Sequence, residues 1–308
     1  MASNRLDWRV WTALGTVYLV WGSTYLAIRI VDRGLPPLYS AAARFLLAGA
    51  LLLALAALSG GLRGVSWRGI GLAAVPGVLL ITFGNGAVML AERTLQSSLA
   101  ALIVALSPLV MALIVMALDR RLVAARAGAG LLIGFAGLVL LVRPQPGSHV
   151  DLVGTGIIIA GTVAWAAGSV FAGKRPTGMA PLATSAFQML VGGAVLAVVA
   201  PLSGEQLPTS LAPSAVPSLW ALVYLLAIGA VVGYTAYSWL LSRAPLSIVS
   251  TYAYVNPVVA IALGVLLLNE QFSLGEAIAS VVILAGVALI VSARTARKPV
   301  VLRDSAAA

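Results

Sequence analysis

Residues 96–118 read QSSLAALIVALSPLVMALIVMAL, twenty-three consecutive positions without a charge. Wound as an α-helix, such a stretch rises about 34 Å, enough to cross a bilayer core of about 30 Å. Its apolar residues run continuously rather than alternating, which selects a helix over a barrel strand. Working outward, nine comparable runs occupy 10–31, 38–58, 69–91, 127–142, 153–172, 181–202, 218–241, 246–268 and 275–292. The pattern specifies an all-α integral membrane protein of ten transmembrane helices. Most connections are brief. The longest, Ser203 to Ser218, contains Pro208, Pro213 and Pro217 and is expected to be irregular.

The composition agrees. Of 308 residues, 61% are hydrophobic and 9% charged, against roughly a quarter charged in soluble domains. The mean hydropathy is +1.05. Such a chain is short of charge to coat a soluble globule but suited to a lipid bilayer. The net charge is +10, yet the basic residues stand singly or in pairs between apolar runs with no interleaved aromatic patch, so nucleic acid is not the expected partner. There are no cysteines, which excludes disulfides, thiolate metal sites and thiol nucleophiles. The first apolar run is interrupted by Trp21, Gly22 and Arg29 and lacks a small-residue cleavage site, so it reads as a retained helix. With the N-terminus inside, 14 Lys or Arg residues fall in inner segments and 4 (Arg29, Arg33, Arg93, Arg143) in outer ones, with Arg44 inside the second span. That bias places both termini in the cytoplasm of a plasma or inner membrane.

The chain resembles itself at a shift of 144 to 149 residues. Pro37-Leu38-Tyr39-Ser40 opens the second span as Pro181-Leu182-Ala183-Thr184 opens the seventh, and Gly49-Ala50 aligns with Gly193-Ala194. Ser107-Pro108 aligns with Asn256-Pro257, and Ala136-Gly137 with Ala285-Gly286. The ordered series divides the chain into five-helix repeats at 1–147 and 148–308, the second with a cytoplasmic tail. Five is odd, so the second copy enters the membrane from the opposite side. Inverted repeats around a midplane site are a carrier architecture.

These residues also carry a family resemblance. The layout, Tyr18-Leu19-Val20-Trp21-Gly22-Ser23-Thr24-Tyr25, Ala43-Arg44-Phe45, the prolines of spans four and nine, and Leu268-Asn269-Glu270 resemble the EamA-type permeases of the drug/metabolite transporter superfamily. That family usually carries an acidic residue before Arg-Leu after the fourth span. Here Arg120-Arg121-Leu122 stands instead. The resemblance implies export of amino acids or related metabolites.

Residues three or four apart share a helix face. Tyr18, Trp21 and Tyr25 form one stripe; Thr82, Asn85 and Met89 another; Trp165 and Ser169, Tyr234 and Tyr237, and Tyr252 and Asn256 complete the set. Converging, they would line a central substrate cavity rich in aromatics with a few amides, which makes aromatic amino acids a natural first substrate. Interhelical packing or an interfacial belt is the competing reading. Arg44 lies two turns inside its span; it either attracts a solute carboxylate or snorkels to headgroups or a neighbouring helix. Pro108 and Pro257 each free a helix carbonyl, those of Val104 and Ala253, and serve as candidate hinges. Gly130 and Gly134 form a GxxxG that favours packing within the chain and leaves a homodimer open. His149 reads as a solvated loop residue.

The acids Asp7, Asp32, Glu92, Asp119, Asp151, Glu205, Glu270, Glu276 and Asp304 all fall at span ends or in loops. No span contains the paired carboxylates, histidine or nucleophile that a membrane enzyme needs, so catalysis, a cofactor and a metal are not expected. No filter ring marks a channel. The expected mechanism is alternating access. Without an Asp, Glu or His in any membrane core, obligatory proton or sodium coupling is not expected, although the Val104 and Ala253 carbonyls leave a sodium site open; Glu92, beside Arg93, is assigned to a local ion pair or to headgroups.

Overall fold

The computed structural model describes residues 7–120, 125–142, 151–207 and 212–295. Arg121, Leu122, His149, Pro208, Arg5, Arg143, Arg297, Lys298, Arg303 and Asp304 lie outside the described residues. All secondary structure among the described residues is helical. The crossing helices are α1 (Trp8–Val31), α2 (Pro37–Leu58), α3 (Trp67–Ala91), α4 (Ser97–Asp119), α5 (Ala125–Val142), α6 (Leu152–Lys174), α7 (Pro181–Leu202), α8 (Pro213–Arg243), α9 (Tyr252–Leu268) and α10 (Leu274–Thr295). Seven of them are long and apolar enough to cross a membrane, and α5, α9 and α10 carry the shorter apolar stretches. Exposed side chains such as Leu47, Leu118, Leu132, Leu202 and Leu266 present the apolar girdle that lipid covers.

The helices begin and end for local reasons. Asp7, Ser66 and Asp151 cap α1, α3 and α6 through side-chain oxygens, satisfying amides that a helix start leaves free. Pro37 and Pro181 open α2 and α7, where a missing N–H costs nothing. Helix α8 begins at Pro213, so the expected irregular link is shorter than the sequence indicated: Pro213 and Pro217 lie in the first turns of a helix. Two helices are interrupted. In α4 the break falls at Ala105–Leu106, with Pro108 in the next turn. A one-turn helix, Leu246–Val249, precedes α9, and the break at Ser250–Thr251 lies well before Pro257, which sits inside continuous helix. The two prolines are therefore not equivalent kinks.

The halves match in structure. Wide π-helical turns occupy Gly77–Asn85 in α3 and Leu225–Tyr234 in α8. Arg120 after α4 and Asn269 after α9 both take a left-handed φ, 49° and 54°, a costly conformation outside glycine that stops each helix abruptly. Packing is reciprocal. A Cβ added to Gly49 would lie 2.9 Å from Leu190, and one on Gly193 would lie 3.0 Å from Leu46. Likewise Gly137 packs on Ile283, and Gly286 packs on Gly134 and Gly130. The GxxxG is thus used within the chain. In both pairs the contacting numbers rise on one helix as they fall on the other, which is antiparallel packing about a two-fold axis crossing the helices. In the same reciprocal way α1 packs on α8 and α9 while α6 packs on α3 and α4.

The two ends of the bundle differ in charge. Asp32, Glu92, Asp151, Glu205, Glu270 and Glu276 gather at one, the acidic end. Arg63, Arg68, Lys174, Arg175 and Arg243 lie at the other, the basic end.

Candidate functional site

Between the halves lies a cavity of about 60 Å³ lined by Trp21, Thr24, Tyr25, Ile28, Arg44, Gly84, Asn85, Val88, Val104, Trp165, Tyr252 and Asn256. It has room for a few waters but is well below the roughly 300–1,000 Å³ of small-molecule sites. Loading a solute therefore requires helices to part.

Its aromatic wall is assembled from three helices, α1, α6 and α9. The Trp21 and Trp165 rings meet edge-on at 5.3 Å, and Trp21 meets Tyr252 edge-on at 5.6 Å. Edge-to-face contact sets the positive rim of one ring against the negative face of the next. The indole N–H of Trp165 donates to the Tyr252 hydroxyl at 3.1 Å, and that of Trp21 to the Gly229 carbonyl at 3.3 Å. Gly233 lets α8 approach this closely, since a Cβ there would lie 2.7 Å from Trp21 Nε1. Asn85 donates to the Leu80 carbonyl at 3.2 Å, and Asn256, its amide nitrogen turned toward α1, donates to the carbonyls of Tyr18 at 3.1 Å and Tyr252 at 3.2 Å.

Arg44 does not snorkel. It is 3% exposed, lies against the Phe45 ring at 4.6 Å and borders the cavity. Its Nε and Nη1 have no hydrogen-bond partner. A guanidinium carries its donors in a planar fork whose geometry matches a carboxylate.

Of the nine residues singled out as substrate-contacting, seven border this cavity. Tyr234 and Tyr237 stand behind it. Tyr237 is fully buried, packs on Trp21 at 4.7 Å and Trp165 at 5.5 Å, and shares a 2.8 Å hydrogen bond with Ser169. Tyr234 donates to Gln188 at 3.1 Å. Gln188 in turn borders a second cavity of about 440 Å³ at the basic end, which also includes Arg175, Ser238 and Arg243. Tyr234, Tyr237 and Gln188 thus form the partition between the two spaces. Val104 borders the central cavity, and its carbonyl accepts from Ser107 Oγ. Thr24, Ile28 and Val88 were not anticipated, although each lies three residues beyond an anticipated one on the same helix face.

At the acidic end two carboxylates of the second half cap helices of the first. Glu205 accepts from the Leu38 and Tyr39 amides at 3.0 and 3.2 Å. Glu270 accepts from the amides and hydroxyls of Ser97 and Ser98. Asp151 accepts from the Thr94 hydroxyl at 2.7 Å as well as its own helix amides, and these bonds, Thr94 first, hold its carboxyl below the usual range. Glu92 departs from its expected place at headgroups or in an ion pair. It is wholly buried and its carboxyl oxygens have no partner. Arg93, the expected partner, is exposed while Glu92 is turned inward, and Arg29 spends Nη1 on the backbone carbonyls of Glu92 and Leu95.

The sequence profile of the EamA-like transporter family matches residues 9–143 and 152–292, one copy per half. An uncharacterized inner membrane transporter of Escherichia coli K12, YedA, is 37% identical over 281 residues, 90% of this chain and 89% of the relative. A WAT1-related chloroplastic protein of Arabidopsis thaliana is 26% identical, covering 91% of this chain and 69% of its own length. A crystal structure of a protein of 22% identity superposes with a TM-score of 0.68 over 95% of this chain and all of its own.

Proposed function

Because the chain belongs to the EamA-like transporter family, a multi-pass membrane transporter whose halves are the family's inverted repeats, we propose that it exports small carboxylate-bearing metabolites, amino acids with aromatic or large apolar side chains first among them. The observation that carries this reading is the unpartnered Arg44 guanidinium beside an aromatic wall. Arg44 takes the carboxylate of the solute, Trp21, Trp165, Tyr25 and Tyr252 take its body, and Asn85 and Asn256 meet its polar substituents. The repeats, 1–147 and 148–308, rock about the central cavity in alternating access, with both termini cytoplasmic and the basic end facing the cytoplasm. Pro108, one turn beyond the break in α4, serves as a hinge; Pro257 acts with the break before α9.

The test is a competition panel on purified protein in liposomes, with labelled phenylalanine as probe. Tryptophan and leucine are expected to compete; phenethylamine, which lacks the carboxylate, is not. Arg44→Ala removes a charged hydrogen-bond pair of about 1.5–3 kcal/mol and is expected to raise half-saturation roughly tenfold to a hundredfold. Equal competition by phenethylamine would refute the role of Arg44.

A further inference from the structure

Glu92 follows the last turn of α3, and Asp32 the last turn of α1, where both enter the packed acidic end. Glu92 is 0% exposed. All four carboxyl oxygens of the pair are buried without a hydrogen-bond partner. Ionised, the two would be buried charges of one sign within electrostatic reach of each other, an arrangement that proteins avoid by neutralising one or both. The groups facing them supply only part of the neutralising charge: Arg29 and Arg93 favour ionisation, but neither bonds to a carboxyl oxygen of the pair. On α1, Arg29 is held by backbone carbonyls, and Tyr25, nearer the cavity, is neutral. Arg93 follows Glu92 on the same connection and moderates Asp32 without a hydrogen bond to it. From the second half come two more carboxylates, Glu205 at the start of α2 and Glu270 at the start of α4, each engaged in capping.

We propose that Glu92 and Asp32 together form a proton-binding site, which holds protons while the acidic end is packed shut and gives them to water when that end opens. On opening, each carboxylic O–H passes its proton to water and leaves a hydrated carboxylate; closing reverses the step. The ligand is the proton, and the consequence is that exposure of the cavity toward the acidic end is linked to pH. Burial sets the sign. It pushes Asp32 up to about 8, against the opposing charges of Arg29 and Arg93. It also raises Glu92, and the nearby Asp32 adds to that rise. A carboxyl whose closed-state value is raised favours the closed state fully below its ordinary value. That preference is lost as pH climbs from the ordinary carboxylate range through about 8 for Asp32. Tyr25 lines the cavity one turn before Arg29, whose Nη1 reaches the Glu92 carbonyl, so the site sits between solute and exit. The inference needs the family's alternating motion but no particular solute.

The absence of cysteine permits a direct test. Val31→Cys places a thiol at a fully buried position next to Asp32. Its labelling by a membrane-impermeant maleimide, in protein reconstituted in liposomes, reports opening of the acidic end. Between the two carboxyl values the open-to-closed ratio should rise about tenfold per pH unit for each proton released. The same thiol in an Asp32→Asn/Glu92→Gln background corrects for its own ionisation. Expected are a steep excess pH dependence with both acids present, a shallower one with either alone, and none in the double variant. Both isosteric variants keep the packing, and a melting curve verifies that they fold. A parallel infrared pH titration should show a protonated carboxyl band that Glu92→Gln removes. Identical pH profiles with and without the acids, or no such band, would overturn the proposal. Labelling that follows sodium at fixed pH would overturn it in favour of a metal ion.

Discussion

Arg44 and Glu92 are buried ionisable side chains of opposite sign whose unpartnered polar atoms have different consequences. Arg44 keeps its charge in almost any protein setting, so its free Nε and Nη1 call for an anion. A carboxyl can instead take up a proton, so Glu92 calls for one. The aromatic stripes were legible because three- and four-residue spacing is enough to align Trp21 with Tyr25 or Tyr252 with Asn256. The setting of Glu92 was not, because position along one helix says nothing of what folds over its end; here Arg29 comes from α1 and the nearby capping carboxylates from the other half. The same limit separated Tyr237 from the cavity, since only packing shows that it stands behind Trp21. That distinction predicts two different outcomes. Trp21→Phe thins the cavity wall and gives up the bond to the Gly229 carbonyl; it should lower melting modestly and raise the half-saturation for phenylalanine roughly threefold to tenfold, as loss of an aromatic contact does. Tyr237→Phe loses its bond to Ser169, at a cost of about 1 kcal/mol, and should lower melting more than it alters uptake. Uptake and thermal-shift measurements on both variants check the pair; the reverse order would place Tyr237, not Trp21, against the solute.

At the level of helices, the glycines fix how closely the halves approach. Gly134, Gly137 and Gly286 let α5 and α10 touch through backbone, the close packing that small residues permit in membranes where no hydrophobic drive separates helix from lipid. Gly286→Leu should therefore cost about 1–3 kcal/mol by overpacking, read as a lower melting temperature in detergent. Gly156→Leu, where nothing lies within 4 Å of an added Cβ, should cost far less. Equal losses would refute the close contact. Most span boundaries and the register between halves could be read from the sequence, since hydropathy and paired motifs such as Gly137 and Gly286 record them directly; the starts of α8 at Pro213 and α9 at Tyr252 could not. The π-helical turns of α3 and α8 could not, because apolar residues of Gly77–Asn85 look alike in any helix. Nor could the unlike surroundings of Pro108 and Pro257, which depend on breaks at Ala105–Leu106 and Ser250–Thr251 set by packing.

Across the whole molecule, the acidic end is shut by caps that cross between halves, whereas the basic end admits a cavity of about 440 Å³ up to Gln188. The counterparts of the two capping carboxylates are missing from the first half. Following α2, Gly60 and Gly61 stand where α7 is followed by Ser203-Gly204-Glu205, and Arg121 stands where the second half has Glu270. Among the described residues no carboxylate cap crosses between the halves at the basic end, where Lys174 instead pairs with Asp119 at 2.6 Å, and the wider cavity lies on that side. In the proposed alternating access, the small central cavity widens toward one end at a time. A channel would pass solute through both ends at once. Counterflow separates these directly: liposomes loaded with unlabelled phenylalanine are diluted into a trace of labelled phenylalanine, and entry of label is followed. The account predicts saturable entry with a transient overshoot above equilibrium, abolished or strongly shifted to higher concentration by Arg44→Ala. Entry that rises linearly with concentration, with no overshoot and no dependence on Arg44, would contradict it.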